Sequence, residues 1–582
     1  MAMIEPSSRS SARWGIFLSF ALALMASCAP AAAPTGARSG DAAAAQAPAR
    51  PSRVVIGNGG DVGRLSSKLD VKTSTFASEI RFLANSPLVV IDPQGTAHPR
   101  LAAELPSRDN GTWIVNPDGT MATTWKIRQN AVWHDGRPVN AKDFVLAYTV
   151  YTDERVEMID RNPERLMSGV EAVDDKTFVI RWKQSYPWAN ELRDGQLEPL
   201  PEHLVGRLYE AGDVGAFENA PLWTSTDYVG TGPYRLVSWD RGTELTFRAF
   251  DNYYLGRPKI DEVVIKVSMD MNAMAANLLA GAMDATVSLT LTQQAGAEIR
   301  GQWDRTGEGR LVYDAAWFRN IQVQLEPSRV RPAALLDVRV RRALEHTIDR
   351  VSIAEVLSGG NAPAIETVMG PSHPLKARTY DAIAKYPFDR ARAAALLQEV
   401  GWNKRGEALV GANGEQLALE LRIPALSDNE TEARIISNDW SQLGIDVSQL
   451  VYNQRSVDRE YGATFPGLNQ TAFRLDLPTE LFRLTSTECA VPDDGYFGRN
   501  RGCWANADYD RAVRTAITSL DREERSAATI QALKVLSEEL PVLHTSYSVD
   551  NIAVRKGLIG PGTIWPAQRG HTWNIHEWRW ES

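Results

Sequence analysis

The sequence contains little cysteine and lacks the local motifs of several enzyme classes. Only three cysteines occur in 582 residues, which excludes a multi-cysteine zinc array and a small fold held together by disulfides. No Gly-Lys pair is present, so a phosphate-binding P-loop is excluded, and no G-x-S-x-G segment forms a nucleophile elbow. A catalytic triad assembled from distant residues stays open, because triads are defined by geometry and not by spacing along the chain.

Basic charge and long apolar runs are also scarce. The 63 Lys and Arg residues are outnumbered by 72 Asp and Glu residues, and the resulting net charge of −9 argues against a nucleic-acid partner. No apolar run of the chain reaches the about 20 residues that a membrane-spanning helix needs. The composition, 43% hydrophobic and 23% charged, is that of a globular protein long enough for several domains.

The N-terminus has the features of a secretion signal. Arg9 and Arg13 precede an apolar run over residues 14–25, which suits the core of a signal peptide over residues 1–27. Two small residues and then Cys28 follow, and this segment resembles a bacterial lipoprotein box, in which the cysteine is lipidated. The alternative is an ordinary signal peptide with an incidental cysteine.

The segment after the signal cannot bury a core. Of the 24 residues in 29–52, 19 are Ala, Pro, Gly or Ser. This composition predicts that residues 28–52 form a flexible tether. We therefore expect an extracytoplasmic protein, in the periplasm or at the cell surface, that is anchored to the cell membrane through a lipid on Cys28.

The remaining chain mixes strand and helix patterns. Alternating and β-branched segments predict strands over residues 53–57, 123–127, 177–182, 263–267, 417–423, 445–451, 542–547 and 551–554, and a hairpin over 234–250 that turns at 240–242. Helical spacing predicts helices over residues 142–151, 272–280, 336–351, 431–443, 508–519 and 522–539. Asp337 and Asp389 are expected N-caps, and the helix after Asp389 ends at Gly401. Helices that alternate with strands favour an α/β fold, here with two lobes.

Two pairs of polar residues could be interpreted as metal or catalytic sites. His134 and Asp135 are followed by Gly136, a turn-forming residue, so we favour a structural turn. His571 and His576 lie five residues apart, which places them on neither one helix face nor one strand face. We expect structural histidines, no metal and no cofactor.

Four stretches of the body resemble one protein family. They are TTWKIRQNAVWHDGRPVNAKDF at residues 123–144, VGTGPYRLVSWDRGTELTFRAFDNYYLG at 229–256, LLDVRVRRALEHTIDR at 335–350, and the helix at 389–402 with LGIDV at 443–447. In this order they resemble the bacterial extracellular solute-binding proteins of family 5, the peptide-, dipeptide- and nickel-binding components of ABC transporters. The motifs describe a scaffold: in the third, Arg339, Arg341 and Arg342 are expected to stay in solvent while Val340 packs inward.

The resemblance implies an α/β, two-lobed periplasmic-binding-protein type II fold with an extra α+β subdomain in lobe I. Lobe I would cover residues 53–267, with the subdomain at about 86–185, and would be completed by residues 542–582; lobe II would cover 268–541. In this family the solute lies between lobes that close about a hinge. The implied protein is not an enzyme. It is a monomer that binds a small solute, an oligopeptide in the leading interpretation, and delivers it to ABC permease subunits in the membrane.

Pockets in such proteins need aromatic walls and a few placed polar groups. The candidates are Ser74, Thr75 and Phe76 in lobe I and Trp317, Phe318, Arg319, Phe473, Arg474 and Asp476 in lobe II. In peptide-binding relatives, an aspartate at the approximate position of Asp476 pairs with the peptide α-amino group. Arg319 or Arg474 could instead neutralise Asp476 within the protein, and the aromatic residues could be ordinary core residues.

Two other functions stay open. The protein could be an extracytoplasmic hydrolase with a triad from distant residues, or a ligand sensor on the same fold.

Once Cys28 is lipidated, Cys489 and Cys503 are the only thiols left, and the compartment permits oxidation. We expect these two cysteines to form a disulfide.

Overall fold

The computed structural model of the protein describes residues 52–69, 77–158, 161–268, 270–365, 367–371, 373–453, 457–474, 478–565, 568 and 570–581. The predicted signal peptide, the predicted lipidation site Cys28 and nearly all of the predicted tether lie outside these ranges. So do four candidate solute contacts, Ser74, Thr75, Phe76 and Asp476. Within the described ranges, no helix combines the length and the apolar character needed to cross a membrane.

Strands and helices alternate along the described chain. The strands are β1 Arg53–Asn58, β2 Val89–Ile91, β3 Ala97–Pro99, β4 Trp113–Val115, β5 Met121–Lys126, β6 Met167–Ala172, β7 Thr177–Trp182, β8 Tyr234–Asp240, β9 Glu244–Ala249, β10 Glu262–Val267, β11 Ala285–Thr286, β12 Gly309–Val323, β13 Asn403–Arg405, β14 Ala408–Val410, β15 Ala418–Pro424, β16 Asp446–Tyr452, β17 Leu468–Arg474, β18 Val542–Arg555, β19 Leu558–Ile559 and β20 Arg579–Trp580. The α-helices are α1 Ala77–Ala84, α2 Ala141–Thr152, α3 Glu202–Glu210, α4 Val214–Glu218, α5 Met271–Leu279, α6 Gln293–Thr306, α7 Val338–His346, α8 Arg350–Ser358, α9 Lys376–Ala382, α10 Arg390–Glu399, α11 Ser427–Gln442, α12 Arg459–Ala463, α13 Ala507–Thr518 and α14 Arg522–Glu539.

A ten-stranded sheet in the order β16-β15-β17-β12-β18-β11-β1-β10-β9-β8 forms the centre of the structure. Its long strands β12 and β18 are antiparallel and pair from Gly309 opposite Arg555 to Gln322 opposite Val542. The prediction of two separate strand segments at 542–547 and 551–554 is therefore wrong. The polar residues between those segments stay in the strand because their backbone groups bond to β12, which the local pattern does not show.

A smaller four-stranded sheet, β4-β5-β7-β6, packs with α2 in the N-terminal part of the chain. Helix α2 begins with a capping box, in which Asn140 accepts from the backbone of Lys142 and Asp143 accepts from the backbone of Asn140. Phe144 on α2 stacks on Phe178 of β7, with ring centroids 4.4 Å apart. Both rings are fully buried, so the helix is fixed on the sheet through its apolar face.

The hydrophobic core is divided between two parts of the chain. One cluster draws on residues 54–287 and is completed by residues 552–578 near the C-terminus. Two further clusters draw on residues 318–549. Strands β12 and β18 contribute to clusters of both parts, so the central strand pair runs through the region where the two parts meet.

Several local predictions agree with the structure. Asp389 caps α10 by accepting from the backbone N–H of Arg392, and the chain then turns through Gly401 at a φ of +88°. The hairpin of β8 and β9 turns after Asp240. His134 also lies in the predicted turn, where it accepts from the backbone N–H of Gly230 at 3.2 Å, and burial lowers its pKa to about 4.

The predicted helix over residues 336–351 is wrong in its length. Asp337 caps α7 as expected, but α7 ends at His346 and a second helix, α8, begins at Arg350. The side chain of Asp349 accepts from the backbone N–H of Ser352, so it caps α8 and interrupts the apolar periodicity. Val351, predicted on the buried face, is 71% exposed as a result.

The prediction that the arginines of this helix stay in solvent is wrong for Arg341. Its guanidinium is buried and donates to the carbonyl oxygens of Leu335, Leu336 and Glu539 at 2.7–3.0 Å. Arg339 does remain largely in solvent, where it pairs with Asp337. Hydrogen bonds to carbonyl groups at the ends of helical segments therefore account for the burial of Arg341.

Candidate functional site

A cavity of about 160 Å³ lies beside the middle of the central strand pair. We call it the hinge cavity. It is lined by Tyr313, Asp314 and Ala315 of β12 and Val549 of β18, by Pro93, Thr563, Ile564 and Trp565 beside the first core, and by Asn361, Ala362, Pro363, Gly370, Pro371 and His373 from the chain between α8 and α9. Both parts of the hydrophobic core therefore contribute walls to one cavity.

The walls of the hinge cavity combine aromatic surface with a few polar groups. The rings of His373 and Trp565 face each other with centroids 5.7 Å apart. Burial lowers the pKa of His373 to about 4, so this side chain is neutral at pH 7. Asp314 supplies a nearly buried carboxylate. Aromatic walls with a few placed polar groups are typical of pockets for small organic solutes.

Asp314 connects the hinge cavity to a buried charged network. His571 Nε2 lies 3.2 Å from Asp314 Oδ2, and His571 Nδ1 lies 3.1 Å from Glu79 Oε1 on α1. Burial by itself lowers the pKa of His571, but the hydrogen bonds and charges of Asp314 and Glu79 raise it to about 10. Burial also raises the pKa of the neighbouring Asp550 to about 6. The imidazolium thus joins α1, β12 and the C-terminal segment.

Ser288, His571 and Asp314 have the composition of a catalytic triad and come from distant parts of the chain. Ser288 Oγ lies 2.9 Å from His571 Nδ1. A triad histidine must be neutral to accept the serine proton. With a pKa raised to about 10, His571 is protonated at pH 7 and donates to carboxylates from both ring nitrogens. The arrangement therefore serves as an ion pair and does not activate Ser288.

The five described candidate contacts of lobe II lie together on β12 and β17. Trp317 pairs with Arg474 across the two strands, and Phe318 pairs with Phe473. The guanidinium of Arg474 lies 4.9 Å from the centroid of the half-buried Trp317 ring. Strand β17 therefore pairs with β12, the strand that forms the floor of the hinge cavity. The residues of β12 that line this cavity end at Ala315. Their contact with a solute stays a prediction.

Two of these residues have partners inside the protein. Arg319 is buried, pairs with Glu432 at 3.3 Å and donates to Asn429. Phe318 is buried in the core against Phe473, with ring centroids 5.4 Å apart. The charge of Arg319 is therefore balanced by Glu432, which the sequence analysis did not consider as its partner.

A second cavity, of about 360 Å³, is lined in part by Phe473. We call it the arginine cavity. It is lined by Gln322, Tyr452, Val457, Asp458, Arg459, Gly462, Thr471, Ala472, Phe473, Arg483, Arg499 and Arg501. These arginines were not predicted from the sequence because they lie in three separate segments, although three of them fall within 19 residues of one another.

The segment that carries two of these arginines is closed by a disulfide. Cys489 and Cys503 are bonded, with Cα atoms 4.6 Å apart. Asn500, between them, donates through its side chain to the carbonyl oxygens of Thr485 and Trp504 at 3.0 and 2.7 Å. Cross-link and hydrogen bonds together fix the backbone from which Arg499 and Arg501 extend.

A larger cavity, of about 450 Å³, lies within the second part of the core among α8, α9 and α14. The charged residues at its base already pair with one another. Glu345 accepts from Arg350 at 2.5 Å and contacts His544 Nδ1 at 2.9 Å. All three side chains are close to fully buried, so this group is a structural ion pair and leaves the cavity mainly apolar.

Comparison with known proteins agrees with this architecture. Protein XP55 of Streptomyces lividans is 28% identical over 448 residues, which cover 75% of this chain and 74% of that protein. The oligopeptide-binding protein AppA of Bacillus subtilis is 24% identical over 461 residues, which cover 77% of this chain and 79% of that protein.

A solved structure shows the same fold. The oligopeptide-binding protein of Thermus thermophilus, complexed with a pentapeptide, superposes with a TM-score of 0.70 at 22% identity and covers 91% of this chain and 96% of that one. The type II periplasmic-binding-protein fold implied by the sequence is confirmed. The sequence profile of the bacterial extracellular solute-binding proteins, family 5 (middle), matches residues 96–484, more than half of the chain, so this protein belongs to that family.

Proposed function

We propose that this protein is the solute receptor of an ABC importer and that it binds an oligopeptide at the hinge cavity. The observation that carries the proposal is the cavity itself. It lies on the two strands shared by both parts of the core, and residues from both parts form its walls. A site built this way is completed only when two lobes approach, so closure traps the solute.

The volume of the hinge cavity implies that the protein must open to admit a peptide. The cavity volume of about 160 Å³ is smaller than the ~300–1,000 Å³ of pockets that enclose a drug-sized ligand. In the proposed cycle, lobe I is formed by residues 53–267 and 542–582 and lobe II by residues 268–541. They separate to take up the solute, and they close before docking on the permease.

Asp476 is the proposed anchor for the peptide α-amino group. In the sequence it lies two residues after the end of β17, whose last residues, Phe473 and Arg474, pair with Phe318 and Trp317 of β12. Arg319, which could have neutralised Asp476 within the protein, is already paired with Glu432. Replacement Asp476→Asn should weaken peptide binding by about 2–5 kcal/mol and leave the stability of the unliganded protein nearly unchanged. The surface variant Asp493→Asn is the matched control, and calorimetry with a free and an N-acetylated peptide measures the effect.

The proposed anchor of the whole protein is a lipid on Cys28. The support is the short apolar run before this residue and the Ala- and Pro-rich segment after it. Replacement Cys28→Ala should produce a protein that detergent-free washing releases from membranes. Incorporation of a fatty-acid probe into the wild type, and its loss in the variant, checks the same point; a variant that is still labelled contradicts it.

Mass spectrometry of compounds that co-purify with the protein tests the central proposal. A bound peptide supports the solute receptor. Turnover of added peptide would contradict it and favour the hydrolase. A serine-directed fluorophosphonate distinguishes the two further, because the ion-paired His571 should leave Ser288 unlabelled.

A further inference from the structure

The arginine cavity has a charge that its own residues do not balance. Four arginines and one aspartate, Asp458, line it. Arg483 pairs with Glu480 at 2.6 Å, and Arg459 lies over the ring of Phe497 at 3.5 Å. Within the described chain, no carboxylate lies within ion-pair distance of the other two arginines, Arg499 and Arg501, although the charges of Glu480 and Glu488 act on Arg499.

Arg499 and Arg501 are the two lining arginines without a direct partner. Within the described part of the chain, no hydrogen bond or ion pair engages either guanidinium group. Partial loss of hydration and the charges of Arg483 and Arg501 lower the pKa of Arg499 and outweigh the opposite effect of Glu480 and Glu488, and burial lowers the pKa of Arg501. Arg501 is half-buried and Arg499 is exposed, so both present positive charge to the open cavity, where an anion between them would lower their repulsion.

The floor of the arginine cavity also carries unsatisfied polar groups. Gln322 lines the cavity while being only 3% exposed, and its amide oxygen has no partner in the described structure. On the same face of β12, Asn320 is fully buried with both amide atoms unpaired. Buried amides without hydrogen bonds are rare, and an amide can turn its NH₂ group toward a ligand oxygen.

The arginine cavity and the hinge cavity, where the solute is proposed to lie, both take residues from β12. Phe473, a candidate wall residue, lines the arginine cavity and pairs with Phe318 across the strands. Gln322 lies on the same strand as the floor of the hinge cavity, seven residues beyond Ala315. A solute bound along β12 and β17 can therefore extend one end into the arginine cavity.

We infer that the arginine cavity binds a part of the solute that carries two or more carboxylate groups, so that the protein selects polyanionic solutes. The inference rests on the proposed function of solute binding. Two guanidinium groups offer planar pairs of N–H donors that match carboxylate oxygens, and the amide of Gln322 supplies a further donor. Two carboxylate groups would give each of the two unpaired guanidinium groups its own partner.

Calorimetric titration of the full-length protein with citrate, a compact tricarboxylate, tests the inference. We expect citrate to bind, and Arg501→Met and Arg499→Met each to weaken binding at least tenfold. Arg501→Lys keeps the charge and should lose less. Arg511→Met is the matched control, because Arg511 is exposed on α13 and pairs with Asp508 away from the cavity. Higher salt concentration should weaken binding to the wild type.

Further probes distinguish solutes with several carboxylate groups from other anions and from uncharged peptides. A peptide of alanine and two glutamates should bind more tightly than its glutamine counterpart, and inorganic phosphate should bind more weakly than citrate. Absence of citrate binding, or equal binding by the wild type and both methionine variants, overturns the inference. If peptides bind without regard to their charge, the proposed solute receptor stands and only this inference fails. If no solute binds at all, the proposed function fails.

Discussion

The buried imidazolium of His571 offers a strong test of how the structure is held together. Its ring is fully buried between Glu79 and Asp314, so it balances two carboxylates that have little contact with water. Replacement His571→Gln keeps a hydrogen-bonding side chain of similar size but removes the charge. The variant leaves two buried carboxylates facing each other, which should destabilise the contact between α1, β12 and the C-terminal segment.

The magnitude follows from the pKa of His571. This pKa rises from the ordinary value of 6.5 to about 10 in the folded protein. At pH 7 this rise corresponds to ~4 kcal/mol of stability, and breaking a buried ion pair costs ~3–5 kcal/mol. Because the folded-state pKa is the higher one, this contribution is complete below about pH 6.5 and is lost as the pH rises toward about 10.

Urea denaturation at about pH 6.5 and about pH 9.5 measures this effect. The difference in unfolding free energy between the wild type and His571→Gln should be largest at the lower pH and should shrink at the higher one. The control is His98→Gln, which removes an exposed histidine 2.8 Å from Asp92 and should cost less than ~1 kcal/mol. A difference that is the same at both pH values, or no larger than that of the control, would refute the assignment of His571 as a buried cation.

Three other predictions concern stability. Burial raises the pKa of Asp550 to about 6, so its charged form is unfavourable in the fold. The stability of the Asp550→Asn variant relative to the wild type should therefore rise between about pH 4 and pH 6 and stay constant above that range. Urea midpoints measured across this pH range test the prediction. Replacing Cys489 and Cys503 together by serine opens a loop of about 15 residues and should lower the unfolding free energy by ~3 kcal/mol. Two free thiols in denatured, unreduced wild-type protein would contradict the disulfide. Arg341→Met removes the donors to three carbonyl groups and should cost ~2–4 kcal/mol. Replacement of the exposed Arg339 by Met should cost less than ~1 kcal/mol, and equal losses would contradict the structural role of Arg341.

Local features were predictable from the sequence because neighbouring residues decide them. Asp389 begins a helix by binding a backbone N–H three residues ahead, and Gly401 ends the helical segment because its φ is positive. The turn that contains His134 and the hairpin after Asp240 are also formed by groups close in the chain. The ordered set of such motifs was enough to identify the family and the type II fold.

Longer elements depended on contacts that local patterns do not contain. Strand β18 continues through Ser548 and Asp550, between the two predicted segments, because β12 pairs with it along its whole length. The helix expected to reach Val351 stops at His346 because Asp349 caps a new helix. Pairing with a distant strand therefore decided the first boundary, and a nearby cap that the hydrophobic periodicity does not show decided the second.

The sequence by itself determined the family, the fold class and the local turns and caps, whereas the tertiary structure decided what each charged residue does. Arg319 balances Glu432, 113 residues away, and His571 balances Glu79, 492 residues away. Within the described chain, Arg499 and Arg501 have no carboxylate within ion-pair distance and line a cavity together with Arg459 and Arg483. The physical reason is that the energy of a charge depends on its burial and on the charges within a few ångströms, and only the folded chain sets these distances.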